Sequence, residues 1–503
     1  GIRDCLLSRG LGMCIRDSSN KKIPYIGEMI SLNYMSSLLK ENGYKTKVVD
    51  CYLEGFCQED IMIQILQNNP SMLAISFYES NQIEVVEFVR ALRLNGYLNA
   101  IVFIGIYATL NTKYLLDEMG DAKNIWCIRG EPEEVILEFA EKIKKGSLNL
   151  NVDKIVYKVE SLYINLNHVN IVRDINTLPY PDCTVMDRMY KKENVSAYIL
   201  SSRGCYGNCS FCVLNIYNSC VTGCNNQPKW RERNVASVAD EMEILAQRYP
   251  NTLIKFADSN FMGCNPNRGI ELSKELKRRN LKSKFAIECR ANDVEKENFR
   301  ALKEVGLVSV FLGIESGSNN VLKRYNKEIS IQKNQEAIDI IRELKIGLKI
   351  GFILFDEYST LNELEENTEF LHKNRSCVFH PYRPLIIEKY RVNGRDPFPT
   401  MIKDEKARLA YEIIKETCQK MLPYRATLNK HRKNTIKKDA DYRNSVYAIF
   451  GKFILFDKHG MDLLLSMCRD SSSSTMHIKA EFMTFVKQFL DDIEIDLRKL
   501  EVY

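Results

Sequence analysis

The 503-residue chain lacks any apolar run that approaches the roughly 18 residues needed to cross a bilayer, which excludes a transmembrane protein. It also has little net charge, since 71 Lys and Arg against 65 Asp and Glu give only +6. So small an excess leaves no electrostatic signature of nucleic-acid binding, and no signal peptide is recognisable. With 45% apolar and 27% charged residues, a disordered or fibrous chain is excluded as well. We therefore expect neither a membrane nor a nucleic acid as partner.

Cysteine, by contrast, is abundant, with 16 residues. Secreted disulfide-rich domains are typically shorter than about 100 residues, so we expect this chain to work in a reduced compartment, the cytoplasm. In that setting, clustered cysteines are more often metal ligands or catalytic groups than disulfides. One cluster has an informative spacing, and it consists of Cys205, Cys209 and Cys212.

Residues 1–18 contain a near-repeat, "IRDCLLSRG" followed by "CIRDS". The segment resembles translated sequencing-adapter read-through, and the chain begins at Gly1 without a methionine. The competing interpretation is a first β-strand followed by a glycine-rich loop at residues 8–12. Because consecutive β-branched residues are lacking, we interpret residues 1–18 as an artefact and assign no function to Cys5 or Cys14. The next domain would then lack its first strand and one wall of its ligand crevice.

Residues 19–150 alternate between helical periodicity and short apolar runs. Glu28–Asn42 has helical spacing and stops at Gly43, a residue type common at helix C-caps. Strand-like runs follow at Lys47–Asp50, Met72–Phe77, Ala100–Gly105 and Asn124–Ile128. This α/β pattern predicts a parallel sheet of the Rossmann or flavodoxin type with helices on both faces. Such sheets bind ligands beyond the carboxyl ends of their strands, which here places the crevice in loops 76–80, 105–109 and 129–133.

The alternation stops at residues 151–195, which we interpret as a linker between domains. It resumes over residues 196–390, where six strand–helix units predict a partial (β/α)6 barrel of the TIM type. The expected strands lie near 197–202, 252–257, 284–289, 308–313, 348–354 and 377–387. Residues 391–503 show no strand alternation and predict a helical C-terminal region.

The run Cys205-Tyr-Gly-Asn-Cys209-Ser-Phe-Cys212 directly follows the first strand of this second domain. Three thiolates at these spacings can surround one face of a cubic 4Fe-4S cluster and leave the fourth iron without a protein ligand. The alternative is a zinc knot that takes Cys220 or Cys224 as its fourth ligand. We expect the latter two cysteines to lie in a loop instead.

This triplet resembles the signature of the radical S-adenosylmethionine (SAM) superfamily, a Cys-x-x-x-Cys-x-aromatic-Cys run at the start of the core domain. Later segments resemble further strands of that domain: "IKFADSNF" at 254–261, "ECRAND" at 288–293, "FLGIESGSNNVLKRYNK" at 311–327 and "GLKIGFILFDEYST" at 347–360. With the preceding sheet, the order over roughly residues 22–390 is similar to the cobalamin-binding branch of the superfamily.

The resemblance implies a cluster whose open iron binds SAM and reduces it to a deoxyadenosyl radical and methionine. It also implies contacts to SAM from residues near the strand ends. Asp258 and Asn260 would face the methionyl ammonium, and Arg290 its carboxylate. Glu315 and Ser316 would hold the ribose or the methionyl end. Phe211 is expected to pack beside the cluster.

The resemblance further implies cobalamin in the first domain, although the residues support this less directly. No Asp-x-His-x-x-Gly motif is present, so a histidine ligand to cobalt is not expected. The partial match Asp457-Lys-His459 lacks the glycine and lies outside the strand–helix alternation. Where relatives commonly carry a histidine in the third loop, this chain has Tyr107, which we expect to contact the cofactor.

Four functions compete. The leading one is a cobalamin-dependent enzyme that transfers a methyl group to an unactivated carbon of a small-molecule or peptide substrate. A one-electron donor such as a flavodoxin or ferredoxin would supply the reductant. The second keeps both cofactors but catalyses a rearrangement or cyclisation. The third, an RNA methylthiotransferase, requires a second cluster for which Cys51, Cys57 and Cys127 are poorly spaced, and the fourth is a non-enzymatic iron–sulfur module.

Overall fold

The computed structural model describes residues 5–9, 30–77, 81–120, 122–146, 154–190, 195–225, 227–375, 402–434, 440–470 and 472–501. Its first domain is a parallel five-stranded sheet of order β2-β1-β3-β4-β5. The strands are β1 (Cys5–Arg9), β2 (Thr46–Asp50), β3 (Met72–Ser76), β4 (Ala100–Ile104) and β5 (Ile125–Cys127). The helices are α1 (Ile30–Glu41), α2 (Cys51–Glu54), α3 (Gln58–Asn68), α4 (Gln82–Leu94), α5 (Ile106–Leu110), α6 (Thr112–Glu118) and α7 (Glu133–Lys144).

Alternating strand residues build two hydrophobic cores in this domain, one on each face. Leu73 and Ile75 of β3 pack with α3, α4 and α6, whereas Met72 and Ala74 pack with α1 and α7. Side chains of a strand point alternately to the two faces, so a run such as 72–75 must be apolar throughout. The predicted parallel sheet with helices on both faces is confirmed.

Residues 5–9 form the middle of this sheet, because β1 pairs in parallel with β2 on one side and with β3 on the other. The expectation that the sheet lacks its first strand is therefore wrong. The prediction relied on the lack of β-branched residues. That local strand preference is weak, and pairing with β2 and β3 on both sides outweighs it. The adapter origin of residues 1–18 stays a prediction.

Residues 154–190 pack onto the first domain. They contain the antiparallel pair β6 (Tyr157–Val159) and β7 (Leu162–Ile164), followed by α8 (Thr184–Met189). Val185 and Met189 of α8 enter the core formed with α1 and α7. Isolated bridges join Val156 to Cys127 and Asn170 to Gly130.

The second domain contains a parallel sheet of order β14-β13-β12-β11-β8. Its strands are β8 (Ala197–Ile199), β11 (Ile254–Phe256), β12 (Phe285–Arg290), β13 (Leu307–Glu315) and β14 (Gly347–Phe352), and β9 (Ser202–Gly204) pairs separately with β10 (Trp230–Glu232). The helices are α9 (Val213–Asn225), α10 (Val235–Arg248), α11 (Arg268–Arg278), α12 (Lys296–Glu304), α13 (Asn319–Arg324), α14 (Ile331–Glu343) and α15 (Leu361–Lys373). The sixth expected strand, 377–387, lies outside the described residues.

Cys220 and Cys224 lie in α9, so their predicted loop is wrong. The segment carries Asn, Ser, Thr and Gly, residues with low helix propensity. Tertiary packing compensates, because Val221 of α9 is buried against Val169 and Ile171.

Three long helices form the C-terminal region: α16 (Glu405–Asn434), α17 (Ala440–Arg469) and α18 (Thr475–Leu500). They share a hydrophobic core with Leu364 and Leu371 of α15, so they pack against the second domain. The predicted helical region is confirmed. Throughout the described ranges, no helix combines the length and apolar character required to cross a membrane.

Candidate active site at the carboxyl ends of the second sheet

The cysteine triplet lies on the loop that joins β9 to α9. Gly204, the last residue of β9, has φ +86° and leaves no room for a Cβ against the Lys229 carbonyl, so only glycine fits this close approach. Cys209 is buried, and Cys205 and Cys212 are half-buried. The Gly207 N–H donates to the Cys205 sulfur at 3.4 Å. The triplet follows a strand, as predicted, and the helix α9 that comes after it was not expected.

The three thiols are close enough to influence one another. Burial is the main cause that raises the pKa of Cys212, and charges on Cys209 and Cys205 raise it further. Within the described ranges, no three His, Cys, Asp or Glu side chains converge as ligands of one metal ion. A zinc ion would need such convergence, with each sulfur at about 2.3 Å, whereas each thiolate of a 4Fe-4S cluster binds its own iron. This donor set fits a cubic cluster with one iron left open.

Cys220, a candidate fourth zinc ligand, is engaged elsewhere. Its sulfur accepts a hydrogen bond from Arg129 Nη2 at 3.4 Å, which directs it toward the first domain. The side chain of Cys224 lies outside the described residues. The zinc knot therefore has no support among the side chains that the structure describes.

Arg290, at the end of β12, supports the cysteine loop from beneath. Its Nη1 donates to the Cys209 sulfur at 3.1 Å and its Nη2 to the Lys327 carbonyl at 2.7 Å. The guanidinium also lies 5.1 Å from the centre of the Tyr206 ring, and it leaves no room for a Cβ at Gly207. The predicted residue is thus at the site, and its contact with the SAM carboxylate stays a prediction.

Asn260 lies in the same network. Its Nδ2 donates to Asp293 Oδ2 at 2.8 Å, and the Tyr206 hydroxyl donates to the other oxygen of Asp293. The buried Asn260 Oδ1 has no hydrogen-bond partner among the described residues. A buried acceptor without a donor costs about 1–3 kcal/mol, so this oxygen fits the ammonium of a bound ligand. Sequence reasoning missed Asp293 and Tyr206, although both lie within the quoted motifs.

Asp258 is fully buried at the end of β11 and holds the start of the β9 segment. Its carboxylate accepts from the Ser201 N–H at 2.7 Å and from the Ser202 hydroxyl at 2.9 Å, and also from the Ser201 hydroxyl. Burial raises the pKa of Asp258, and the Arg268 charge opposes that shift. These contacts position the loop that carries the cysteines. A direct contact with SAM stays a prediction.

Glu315 and Ser316 follow β13 and differ in their surroundings. Glu315 has φ +67°, and its Oε1 lies 3.1 Å from Lys327 Nζ at the open end of the sheet. Ser316 is buried, and its hydroxyl donates to Asn367 Oδ1 at 2.6 Å within the second domain. Phe211 packs edge-to-face on Tyr325, with ring centres 5.3 Å apart. The packing of Phe211 beside the cluster and the ligand roles of the two strand-end residues stay predictions.

A buried charge cluster joins the two domains next to this loop. Arg231 of β10 makes two hydrogen bonds with Glu131, at 2.6 and 3.0 Å. Arg203 of β9 pairs with Glu133 at 2.5 Å and with Glu131 at 3.3 Å. Burial alone would raise the pKa of Glu131, but the two arginines and the Val172 N–H hold it below its usual value. Loop 129–133 is thus fixed to the strand that leads into the cysteine triplet.

The crevice edge at loop 105–109 also faces the cysteine loop. Tyr107 is the second residue of α5, and α5 packs against α9. Gly105, the residue before α5, has φ +92°. On α9, Asn215 Oδ1 and Asn218 Nδ2 are buried without a partner among the described residues. Residues 78–80 of the first crevice loop lie outside the described residues. This edge offers polar atoms and an aromatic ring to a flat polar ligand, while His459 is exposed on α17.

Residues 199–371 match the family model of the Radical SAM superfamily. An uncharacterized methyltransferase of Pyrococcus horikoshii is 25% identical over 350 residues, which are 69% of this chain and 73% of that protein. The 4'-phospho-dehydrooxetanocin synthase of Priestia megaterium is 25% identical over 396 residues, 73% of this chain but only 51% of the synthase. The solved structure of the cobalamin-dependent S-adenosylmethionine radical enzyme OxsB with aqua-cobalamin bound matches with a TM-score of 0.76 at 18% identity, over 99% of this chain and 81% of that one.

Residues 199–371 therefore match the radical SAM superfamily, and the two relatives are similar to the chain over about 70% of its length. Its fold over nearly the whole length, the three C-terminal helices included, is that of the cobalamin-dependent member OxsB. The resemblance inferred from the sequence motifs is confirmed.

Proposed function

We propose that this protein is a cobalamin-dependent radical SAM enzyme that transfers a methyl group to an unactivated carbon of a small-molecule or peptide substrate. The observation that carries the proposal is the set of three thiols on one loop between β9 and α9, where α9 packs against α5 of the first domain. When bound, the cluster and SAM supply one-electron chemistry, and cobalamin supplies a carrier for the methyl group.

The residues of this chain would bind and position these groups. Cys205, Cys209 and Cys212 hold the cluster, and the Arg290 guanidinium places a positive charge 3.1 Å from the Cys209 sulfur, where it stabilises a thiolate. The unpaired Asn260 Oδ1 accepts from the SAM ammonium. Burial of these groups excludes water from the reacting centre.

Cobalamin would lie between the domains, against α5 and α9. Tyr107, Asn215 and Asn218 offer a ring and unpaired amide atoms along that boundary. The buried pairs of Arg203 and Arg231 with Glu131 and Glu133 set the spacing of the two walls. No histidine from this region is needed as a cobalt ligand.

The finer architecture belongs to the same proposal. We propose that β8 and β11–β14 are five strands of a partial TIM-type barrel over residues 196–390. Residues 19–150 would be the cobalamin-binding domain, 151–195 the linker and 391–503 a helical cover. The enzyme would work in the cytoplasm with an electron donor such as a flavodoxin or ferredoxin.

A rearrangement or cyclisation that uses the same cofactors is the second candidate. One of the two curated relatives is named a methyltransferase and the other a synthase, so the shared architecture is compatible with both outcomes. A methylthiotransferase is disfavoured because it requires a second cluster, and the described cysteines of the first domain are engaged elsewhere. Cys51 and Cys127 are buried in the core that β3 forms with α3, α4 and α6. The Cys57 thiol donates a hydrogen bond to Asp60.

The position of the corrinoid gives a direct test. Anaerobic loading with hydroxocobalamin, followed by gel filtration and visible absorption, should show retained corrinoid in the parent protein. Tyr107→Ala should weaken retention about tenfold, because the crevice edge loses its aromatic contact surface. His459→Ala is the matched control and should retain corrinoid like the parent. Loss of corrinoid in His459→Ala with full retention in Tyr107→Ala would place the cofactor elsewhere.

A further inference from the structure

The two faces of the second sheet differ in chemistry. One face carries Ile254, Phe256, Ile287, Val310 and Leu312, which are buried beneath the helices of the second domain. The opposite face is called here the inner face. Its side chains are polar, aromatic or small, and the largest of them are Tyr198, Lys255, Glu288, Arg290, Phe311, Glu315 and Lys349.

Strand register sets three of these residues in one row. Glu288 of β12 is opposite Phe311 of β13, which in turn is opposite Lys349 of β14. Register partners of a parallel sheet point to the same face, and adjacent strands are about 4.8 Å apart. The Cα atoms of Glu288 and Lys349 are therefore roughly 10 Å apart, with an aromatic ring between them.

Lys255 adds a second positive charge one step below this row. It is opposite Ala286, two residues before Glu288, and its Nζ lies 6.0 Å from the centre of the Tyr198 ring. Burial and the nearby Lys349 charge together lower the pKa of Lys255 to about 8, and the Glu288 charge opposes that shift. The three ionisable groups thus influence one another across a shared space.

Packing among the described residues leaves part of this face exposed. Phe311 keeps 38% of its surface exposed although it lies in a central strand of the sheet. Within the described part of the chain, neither Glu288 nor Lys349 has an ion-pair partner. Opposite charges that flank an exposed ring without pairing with each other are complementary to a ligand with two charged ends.

The row leads directly to the cluster loop. Arg290 is the next inner-face residue beyond Glu288 on β12, and it donates to the Cys209 sulfur. A ligand on the row would therefore extend toward the site where the cluster and SAM are proposed to bind.

We propose that the inner face binds the substrate, and that this substrate is a small zwitterion. Glu288 receives its cationic amine, Lys349 and Lys255 receive its carboxylate or phosphate, and Phe311 contacts the apolar carbons between the two ends. This inference rests on the proposed function, because it assigns the substrate class of that same site.

Three small probes separate the charge requirements: 6-aminohexanoate carries both charges, hexanoate only the anion and hexylamine only the cation. Ligand-observed NMR titration of the full chain should show the tightest binding for 6-aminohexanoate. The advantage over each singly charged probe should be about tenfold, since a hydrogen bond to a charged group contributes on that scale. Equal binding of all three probes, or no binding of 6-aminohexanoate, would overturn the proposal.

Two variants test which side chain binds each charged end of the ligand. Glu288→Gln should remove the advantage that the amine provides, and Lys349→Met the advantage that the anion provides. Lys333→Met, at a half-buried lysine of α14 that pairs with Glu336, is the control and should bind like the parent. Thermal melts followed by circular dichroism establish that each variant is folded. Variants that are folded and still bind 6-aminohexanoate like the parent would overturn the assignment.

The titration needs neither cluster nor reductant, so it separates this inference from the proposed function. A parent protein that prefers 6-aminohexanoate but cannot be loaded with a cluster would contradict only the proposed function. A cluster-loaded protein without that preference would contradict only the substrate class.

Discussion

Replacing Cys205, Cys209 and Cys212 together with serine is expected to abolish cluster binding. After anaerobic reconstitution, iron and sulfide should fall from about four of each per chain to near zero. The three thiols are the proposed cluster ligands on the loop between β9 and α9, and in the described structure the Cys220 sulfur is directed toward Arg129. Serine preserves the size of the side chain, so the loop and its Arg290 contact lose the sulfur ligands with little change in packing.

The control for this prediction is a second triple variant. Cys57, Cys220 and Cys264 are thiols outside the motif, and replacing them with serine should leave iron and sulfide at the level of the parent. Colorimetric iron and sulfide assays, with the absorption near 400 nm, measure both variants. Full iron content in the Cys205/Cys209/Cys212 variant would show that the cluster site is wrong.

Neutralising Glu131 should have the largest effect on stability. Glu131→Gln breaks its ion pair with Arg231 while Arg231 stays buried, and such a change costs about 3–5 kcal/mol. Urea denaturation followed by tryptophan fluorescence is a suitable measurement, because Trp126 of β5 and Trp230 of β10 lie in the two domains that the pair joins. Glu304→Gln breaks an exposed pair with Lys277 and should change the unfolding free energy by less than about 1 kcal/mol.

A double variant shows whether the stability loss of Glu131→Gln comes from the buried, unpaired Arg231 charge or from lost packing. Replacing Glu131 with leucine and Arg231 with methionine removes both charges and should restore most of the lost stability.

The pH dependence of this contribution to stability has a definite sign. The folded-state pKa of Glu131 is lowered, so its contribution is present above the ordinary glutamate range and is lost as the pH falls through the folded-state pKa. The difference between the parent and Glu131→Gln should therefore shrink in acid, and a Glu131→Gln cost no greater than that of Glu304→Gln would contradict the role of the pair.

The strands and helices near the site could be predicted from the sequence, because their signals are local. The run Met72–Phe77 became β3 at Met72–Ser76, and the run near 284–289 became β12 at Phe285–Arg290. The α9 helix could not be predicted, since packing against Val169 and Ile171 compensates for its weak propensity. Likewise, β1 depends on pairing with β2 and β3 rather than on its own residues.

The candidate site divides in the same way. The motif placed Cys205, Cys209, Cys212 and Arg290 together, because the strand order brings their segments to one edge. Asp258 and Ser316 are also polar residues near strand ends. In the structure Asp258 accepts a hydrogen bond from Ser201, and Ser316 donates one to Asn367. The pair of Glu131 with Arg231 joins residues 100 positions apart, and no local pattern in the sequence indicates it.

Cleavage of SAM by the reconstituted protein tests the proposed function most directly. Anaerobic protein with a full cluster, dithionite and SAM should release deoxyadenosine and methionine slowly even without substrate, as measured by liquid chromatography and mass spectrometry. The Cys205/Cys209/Cys212 variant should release neither above the level of a protein-free control. A parent protein that holds about four iron atoms per chain and yields no deoxyadenosine would contradict the proposed function.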